Sequence, residues 1–167
     1  PGTVPGLEAT SYFGPQMGAT AAGAHAMVIE IDPQTMRPTI LRYVVVHDCG
    51  TVLNPLILSG QIQGGVAQGI GNAFFEKLEW TEEGQLLNAT LADYLLPTAL
   101  DVPRMAVLHT ETPSPLNPLG TKGAGEGGAI PVGALFAQAI EDALDLPARG
   151  IEISEIPLSP SRLWEIC

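Results

Sequence analysis

Gly120-Thr121-Lys122-Gly123-Ala124-Gly125-Glu126-Gly127-Gly128 is a glycine loop that carries one carboxylate, and the rest of the chain is read outward from it. Four glycines between Gly123 and Gly128 free the backbone for positive φ and leave no Cβ to hold a ligand at a distance. Upstream, Thr112-Pro113-Ser114-Pro115-Leu116-Asn117-Pro118-Leu119 disfavours strand and helix, because each proline lacks an N–H and biases the residue before it toward extended geometry. The loop therefore hangs on a stiff, irregular arm. Downstream, Ala129 to Leu144 reads as a helix with Pro131 in its first turn, which places Glu126 just before a helix N-terminus. An acid there gains about 0.3–1 kcal/mol from the helix dipole whatever its role. The same terminus is expected to keep the carboxylate ionised, which suits a general base. A capping acid needs no glycines around it, whereas a carboxylate that must touch a bulky cofactor or substrate does.

N-terminal to the arm, Ala24 to Ile31 and Thr39 to Asp48 predict a β-hairpin across the turn Asp32-Pro33 to Arg37-Pro38. The consecutive Val44-Val45-Val46 predicts burial of the second strand on both faces. Asn54 caps, and Pro55 opens, a long helix predicted to reach about Phe75. Ile62, Val66, Ile70 and Phe74 line one apolar face of it. On the same helix Gly60, Gly64, Gly65, Gly69 and Gly71 each cost about 0.8–1 kcal/mol relative to alanine. A close approach by another backbone or by a ligand must recover that cost, and Gln61, Gln63 and Gln68 interleave hydrogen-bonding amides.

Lys77 to Trp80 and Gln85 to Leu87 predict a second, exposed hairpin with a glycine turn, and Met105 to Thr110 a strand. Leu91 to Leu96 fits no single element. Pro147 stops the last long helix, and Ile151 to Cys167 predicts a short strand followed by a helical turn around Trp164. Residues 1–22, without periodicity, read as a loop or linker ordered by neighbouring segments, and 23–167 as one domain. The expected fold class is α+β: a mixed sheet with hairpins, packed against a long glycine-rich helix and a second C-terminal helix.

With 18 acidic against 7 basic residues and a net charge of −11, nucleic acid and anionic membrane surfaces are unfavourable partners. No apolar run approaches the ~20 residues of a membrane span. Two cysteines, Cys49 and Cys167, give neither metal-ligand spacing nor a disulfide framework, so a reducing, cytoplasmic setting is expected. The start at Pro1, without initiator methionine or leader, suggests a processed piece or fragment.

Gly123-x-Gly125-x-x-Gly128 formally matches a dinucleotide fingerprint, with Asp145 as its ribose partner, but a proline arm stands where a strand is required. His25, His47 and His109 are scattered on predicted strands and read as satisfied core or edge histidines. In His47-Asp48-Cys49 strand alternation turns Asp48 away from the other two, which argues against a cysteine triad.

Several segments taken together carry a resemblance. They are His47-Asp48-Cys49-Gly50, Asn54-Pro55, Gly60-Gln61-Ile62-Gln63-Gly64-Gly65-Val66-Ala67-Gln68-Gly69-Ile70-Gly71, Asp93-Tyr94-Leu95-Leu96-Pro97, Thr110 to Gly120, and Lys122-Gly123-Ala124-Gly125-Glu126. In order and spacing the chain resembles the C-terminal part of the molybdopterin-binding large subunit of the xanthine dehydrogenase and aldehyde oxidase family, the molybdenum hydroxylases. Within that family it is most similar to the aerobic carbon monoxide dehydrogenase type. The resemblance implies a molybdenum–molybdopterin cofactor, expected as the cytosine dinucleotide, contacted by Gln61, Gly64, Gly65, Lys122, Gly123, Ala124 and Gly125. It implies that Glu126 is the base that takes the proton from the metal-bound hydroxyl as an aldehyde, an aromatic N-heterocycle or carbon monoxide is oxidised. It implies no side-chain metal ligand in this chain. Its expected partners are the rest of the large subunit and subunits carrying [2Fe-2S] clusters and FAD. The chain alone is then expected to be inactive. A noncatalytic scaffold or subunit-assembly domain of the same fold is the alternative.

Overall fold

A computed structural model describes residues 6–14 and 17–167. The expected linker over 1–22 therefore lies partly outside the described residues, and its described part is irregular and mostly exposed up to Ala21. Strands β1 (Ala22–Ile31) and β2 (Pro38–Asp48) form the antiparallel hairpin. Asp32 makes its turn, accepting the Gln34 N–H at 2.9 Å and the Thr35 hydroxyl at 2.9 Å, while Met36 takes a φ of 54°. Strand β3 (Met105–His109) adds to β2 in parallel, with His47 opposite His109, so the sheet is mixed and ordered β1-β2-β3.

Period-2 alternation sends His25, Met27, Ile29 and Ile31 of β1 and Tyr43, Val45 and His47 of β2 toward the helices. Tyr43, Val45 and His47 are fully buried, whereas Val44 and Val46 are only half-buried and Val28, Leu41 and Leu108 are exposed. The valine run is thus buried on one face, not two, because the described helices cover a single side of the sheet.

Helix α1 (Pro55–Ile70) begins as expected, with Asn54 Oδ1 accepting the Ile57 N–H at 3.1 Å. It ends earlier: Gly71–Phe75 forms a π-helical turn. An added Cβ on Gly71 would stand 2.1 Å from Glu76 Oε1, and Tyr94 holds Glu76 there through a 2.6 Å hydrogen bond. Ile62, Val66 and Ile70 are buried in one row, and Phe74 packs edge-on against Phe136 with ring centroids 4.3 Å apart. Helix α2 (Val132–Ala143) contributes Val132, Phe136 and Ile140 to the same core. Helix α3 (Pro160–Ile166), capped by Ser159, adds Leu163.

Two expected elements are smaller than their sequence suggests. The second hairpin is a single bridge between Trp80 and Leu86, with Gly84 at φ 81° in its turn. Leu78, Trp80 and Leu87 find no core to pack on, and an unsupported two-stranded ribbon is marginal. No strand forms over Ile151 to Ile156; there the Ile153 N–H donates to Glu141 Oε1 at 2.6 Å instead of to a ladder. Among the described residues no helix is long and apolar enough to cross a membrane.

Candidate functional site

The end of β2 anchors the arm and the loop through one carboxylate. Asp48 Oδ1 accepts the Gly50 N–H at 2.8 Å and the Thr112 N–H at 3.2 Å, and Asp48 Oδ2 accepts the Thr112 hydroxyl. Lys122 Nζ closes the group, 3.4 Å from Asp48 Oδ1 and 2.5 Å from the Thr112 hydroxyl. The Thr112 hydroxyl, then the Gly50 N–H, hold the Asp48 carboxyl well below the usual carboxylate range, with smaller help from the Lys122 ammonium. A lowered folded-state pKa stabilises the fold above the unfolded value of 3.8, and that stabilisation is lost as pH falls below it. Asp48→Asn is therefore expected to lower the urea midpoint at neutral pH and to flatten its decline between about pH 5 and pH 2. An unchanged decline would assign the acid sensitivity to other carboxylates.

The proline arm is stapled rather than merely stiff. Asn117 accepts the Thr121 N–H at 3.1 Å and donates to the Thr121 carbonyl at 2.8 Å, while the Gly120 carbonyl accepts the N–H groups of Thr51 at 3.0 Å and Ser114 at 2.9 Å. Gly120 and Gly50 both adopt φ 69°, and an added Cβ on Gly50 would meet the Gly120 carbonyl oxygen at 2.1 Å. Beyond this staple the loop is gripped on both sides of Glu126. Gln61 Nε2 of α1 donates to the Gly125 carbonyl at 2.8 Å, and His25 Nε2 of β1 lies 3.1 Å from the Gly127 carbonyl. Gly128 rests on α1, where its Cβ would come within 2.2 Å of the Ile62 carbonyl oxygen.

Glu126 is exposed and lines a cleft of about 550 Å³ with Gly123, Gly125, Gly127, His47 and Gly23. The helix placed next to it from sequence starts later, at Val132 beyond Pro131, and the Glu126 carbonyl instead accepts the Ala129 N–H of an intervening turn at 2.9 Å. A helix dipole acts within about one turn, so α2 gives this carboxylate little support.

The residues expected to contact a cofactor divide into two groups. Gly64, Gly123 and Gly125 are exposed, with no atom of the described residues within 4 Å of an added Cβ, and Gln61 is exposed beside them in its contact with Gly125. Gly65, by contrast, is buried with its missing Cβ 2.9 Å from Gly128 Cα, Lys122 points inward at Asp48, and Ala124 packs against the core. The glycine cost on α1 is therefore recovered in part by backbone packing at Gly65 and by Val132 against Gly69, whereas Gly60 and Gly64 remain bare and open.

Two of the histidines read as satisfied core residues differ from that reading. His25 is satisfied, but by the loop itself. His47 is buried with neither ring nitrogen hydrogen-bonded among the described residues, and Gly127 lies over it so closely that a Cβ would stand 2.3 Å from Cε1. His109 leaves Nδ1 without a partner among the described residues. Burial, then His109, lower the His47 pKa, so its ring is neutral near pH 7. The signal in the sequence is one histidine at the terminal inward side-chain position of each strand, and the pairing brings all three to the same end of the sheet. Burial pushes the Cys49 thiol up, away from a nucleophilic thiolate.

Residues 3–103 match the family model described as a molybdopterin cofactor-binding domain. The chain belongs to this molybdopterin-binding family. The match takes in β1, β2 and α1 and stops before the glycine loop. The domain is 37% identical over 167 residues to the carbon monoxide dehydrogenase large chain of Hydrogenophaga pseudoflava, covering 98% of this chain and 20% of that protein. It is 38% identical over 162 residues to the nicotine 6-hydroxylase large subunit of Paenarthrobacter nicotinovorans, covering 97% of this chain and 20% of that one. Its structure superposes on quinoline 2-oxidoreductase from Pseudomonas putida 86 with a TM-score of 0.82 and 43% identity, over 87% of this chain and 18% of the other. The domain thus spans about a fifth of the length of the relatives it matches, and those relatives include the carbon monoxide dehydrogenase type that its motifs resemble.

Proposed function

We propose that this chain forms one wall of the cofactor and substrate site of a molybdenum hydroxylase and that Glu126 is its general base. The observation that carries the reading is the placement of Glu126 on a loop held at Gly125 and Gly127, facing a cleft bordered by glycines that present bare backbone. Gly123 and Gly125 would let a pterin approach their backbone closely, because among the described residues nothing occupies the space a Cβ would take. Gly64 and Gly60 offer the same access along α1, with the Gln61 carbonyl oxygen available to accept a hydrogen bond while its amide grips the loop. Among the described residues no cluster of His, Cys, Asp or Glu could hold a metal ion, so the metal is expected to arrive with the pterin. When bound, the molybdenum–pterin group supplies the two-electron acceptor for substrate oxidation.

The chain's own contribution is acid–base and geometric. The exposed Glu126 carboxylate takes a proton from the oxygen nucleophile as that oxygen bonds to the substrate carbon. Gln61 and His25 keep the carboxylate from drifting, and the Asp48–Thr112–Lys122 group fixes the root of the loop. The cytosine dinucleotide form of the cofactor, [2Fe-2S] and FAD on companion chains or domains, and a cytoplasmic setting complete the proposal. The substrate is one of three classes: an aldehyde, an aromatic N-heterocycle or carbon monoxide.

Gly64→Ala separates a ligand-facing glycine from an accidental one. In a helix interior with open space around it, alanine is expected to stabilise the fold by about 0.8–1 kcal/mol. In the complete enzyme the same methyl group is expected to lower molybdopterin retention, measured as molybdenum and released pterin per protein. Higher stability with full cofactor content would show that the cofactor does not lie against Gly64.

A further inference from the structure

The two carbonyls that flank Glu126 are gripped from different elements, and the grip from β1 has a structure of its own. His25 Nε2 lies 3.1 Å from the Gly127 carbonyl, and His25 Nδ1 lies 2.9 Å from the Tyr43 hydroxyl. A carbonyl oxygen can only accept, so Nε2 carries the proton. In the neutral ring Nδ1 is then the acceptor, and the Tyr43 O–H is its donor. Tyr43 is fully buried and its ring meets His25 edge-on, with centroids 5.7 Å apart, so the hydroxyl has a fixed direction. On the resting proposal that Glu126 is the base, we propose that His25 is a positioning residue for it: Tyr43 selects the Nε2–H tautomer of His25, and that N–H sets the Gly127 carbonyl and so the direction of the Glu126 side chain.

Other groups face this relay. His47 lies on β2 one inward position beyond Val45, the residue opposite His25, and its ring packs under Gly127; His109 of β3 stands opposite His47. Burial is the main cause lowering the His25 pKa, and His47 adds to it, so the ring is neutral near pH 7. Burial also pushes the Tyr43 phenol far above its ordinary value, which keeps it a donor throughout the working pH range. The arrangement spans the molecule: His25 and Gly127 are 102 residues apart, and the contact joins the first strand to the loop.

The test uses the complete molybdenum enzyme that carries this chain. His25→Leu keeps an apolar side chain of similar size but removes the donor, and His25→Gln restores an amide N–H near the position of Nε2. Tyr43→Phe keeps the ring and removes the tautomer control. Hydrogen–deuterium exchange of the peptide spanning residues 123–130 reads the loop directly, without turnover, and molybdenum content, kcat and KM are measured alongside. His25→Leu is expected to speed exchange in that peptide by about tenfold and to lower kcat by on the order of 10²-fold with KM nearly unchanged. His25→Gln is expected to recover most of both, and Tyr43→Phe to shift both in the direction of His25→Leu. Wild-type loop exchange in His25→Leu, or a His25→Gln variant no better than His25→Leu, overturns the proposal. If His25→Leu does not fold, Tyr43→Phe decides: unchanged exchange and kcat in that variant overturn it too. Glu126→Gln keeps the two readings apart, since turnover surviving that change removes the base assignment while the exchange data still decide the role of His25.

Discussion

Glu126→Gln in the complete enzyme is expected to abolish turnover while leaving molybdenum content and thermal stability at their wild-type values. Glutamine keeps the length and shape of the side chain and removes its ability to accept a proton. Loss of a general base is worth about 10²–10⁴-fold in rate. Little else should change, because the side chain is exposed and, among the described residues, enters no salt bridge. A surface substitution of that kind stays within about 0.5 kcal/mol. The turn that follows depends on the Glu126 carbonyl, which the substitution keeps. Parallel assays of kcat and metal content decide the matter. Metal loss in step with activity would make Glu126 a structural support of the cofactor, and full activity would move the base elsewhere.

Gly128→Ala is expected to be the most damaging single change in the loop that leaves every polar group in place. Its Cβ would stand 2.2 Å from the Ile62 carbonyl oxygen and 3.1 Å from Gly65 Cα. Both obstacles are backbone of α1, and neither can rotate out of the way. The loop or the helix must shift, at an overpacking cost of about 1–3 kcal/mol. A shift approaching 1 Å at Gly128 also displaces Glu126 two residues away, and misplacement on that scale can cost about 10²-fold in rate. Gly125→Ala is the control, because nothing among the described residues lies within 4 Å of its added Cβ. The denaturation midpoint of the two variants should differ clearly, with Gly128→Ala the lower. Equal midpoints would mean that α1 and the loop do not meet as described.

Much of this architecture could be read in the sequence because it is written in local signals. The strand pattern Ala24 to Ile31, the Asn54-Pro55 start of α1 and the helix expected over Ala129 to Leu144 with Pro131 in its first turn each settle an element within a few residues. The hairpin at Trp80 had equally good turn chemistry and shrank to one bridge, since strand formation is decided by what the faces pack on. The candidate site was legible as composition but not as geometry. Glycine marks both a ligand's approach and another backbone's approach, so Gly64 and Gly65 look alike in sequence and turn out to face open space and Gly128 respectively. The grips on the loop join residues 64 and 102 positions apart, and no local pattern reports such pairs. The resemblance implies a cofactor contact at Lys122, and no local pattern reports that its long side chain reaches back to Asp48.

The parallel pairing of β3 with β2 also sets an order of events in time. The hairpin and α1 are built from contacts between near neighbours in sequence, whereas β3 must find β2 across residues 49–104. Closing so long a segment costs entropy before any ladder bond repays it, and such non-local pairings form slowly. The arm and loop leave directly from the end of β3, where the Thr110 N–H still donates to the His47 carbonyl at 3.0 Å. During synthesis the hairpin and α1, with Gly60 and Gly64 along it, are therefore made well before the loop that lines the cleft, and a chain that stalls partway lacks Gly123, Gly125 and Glu126 together.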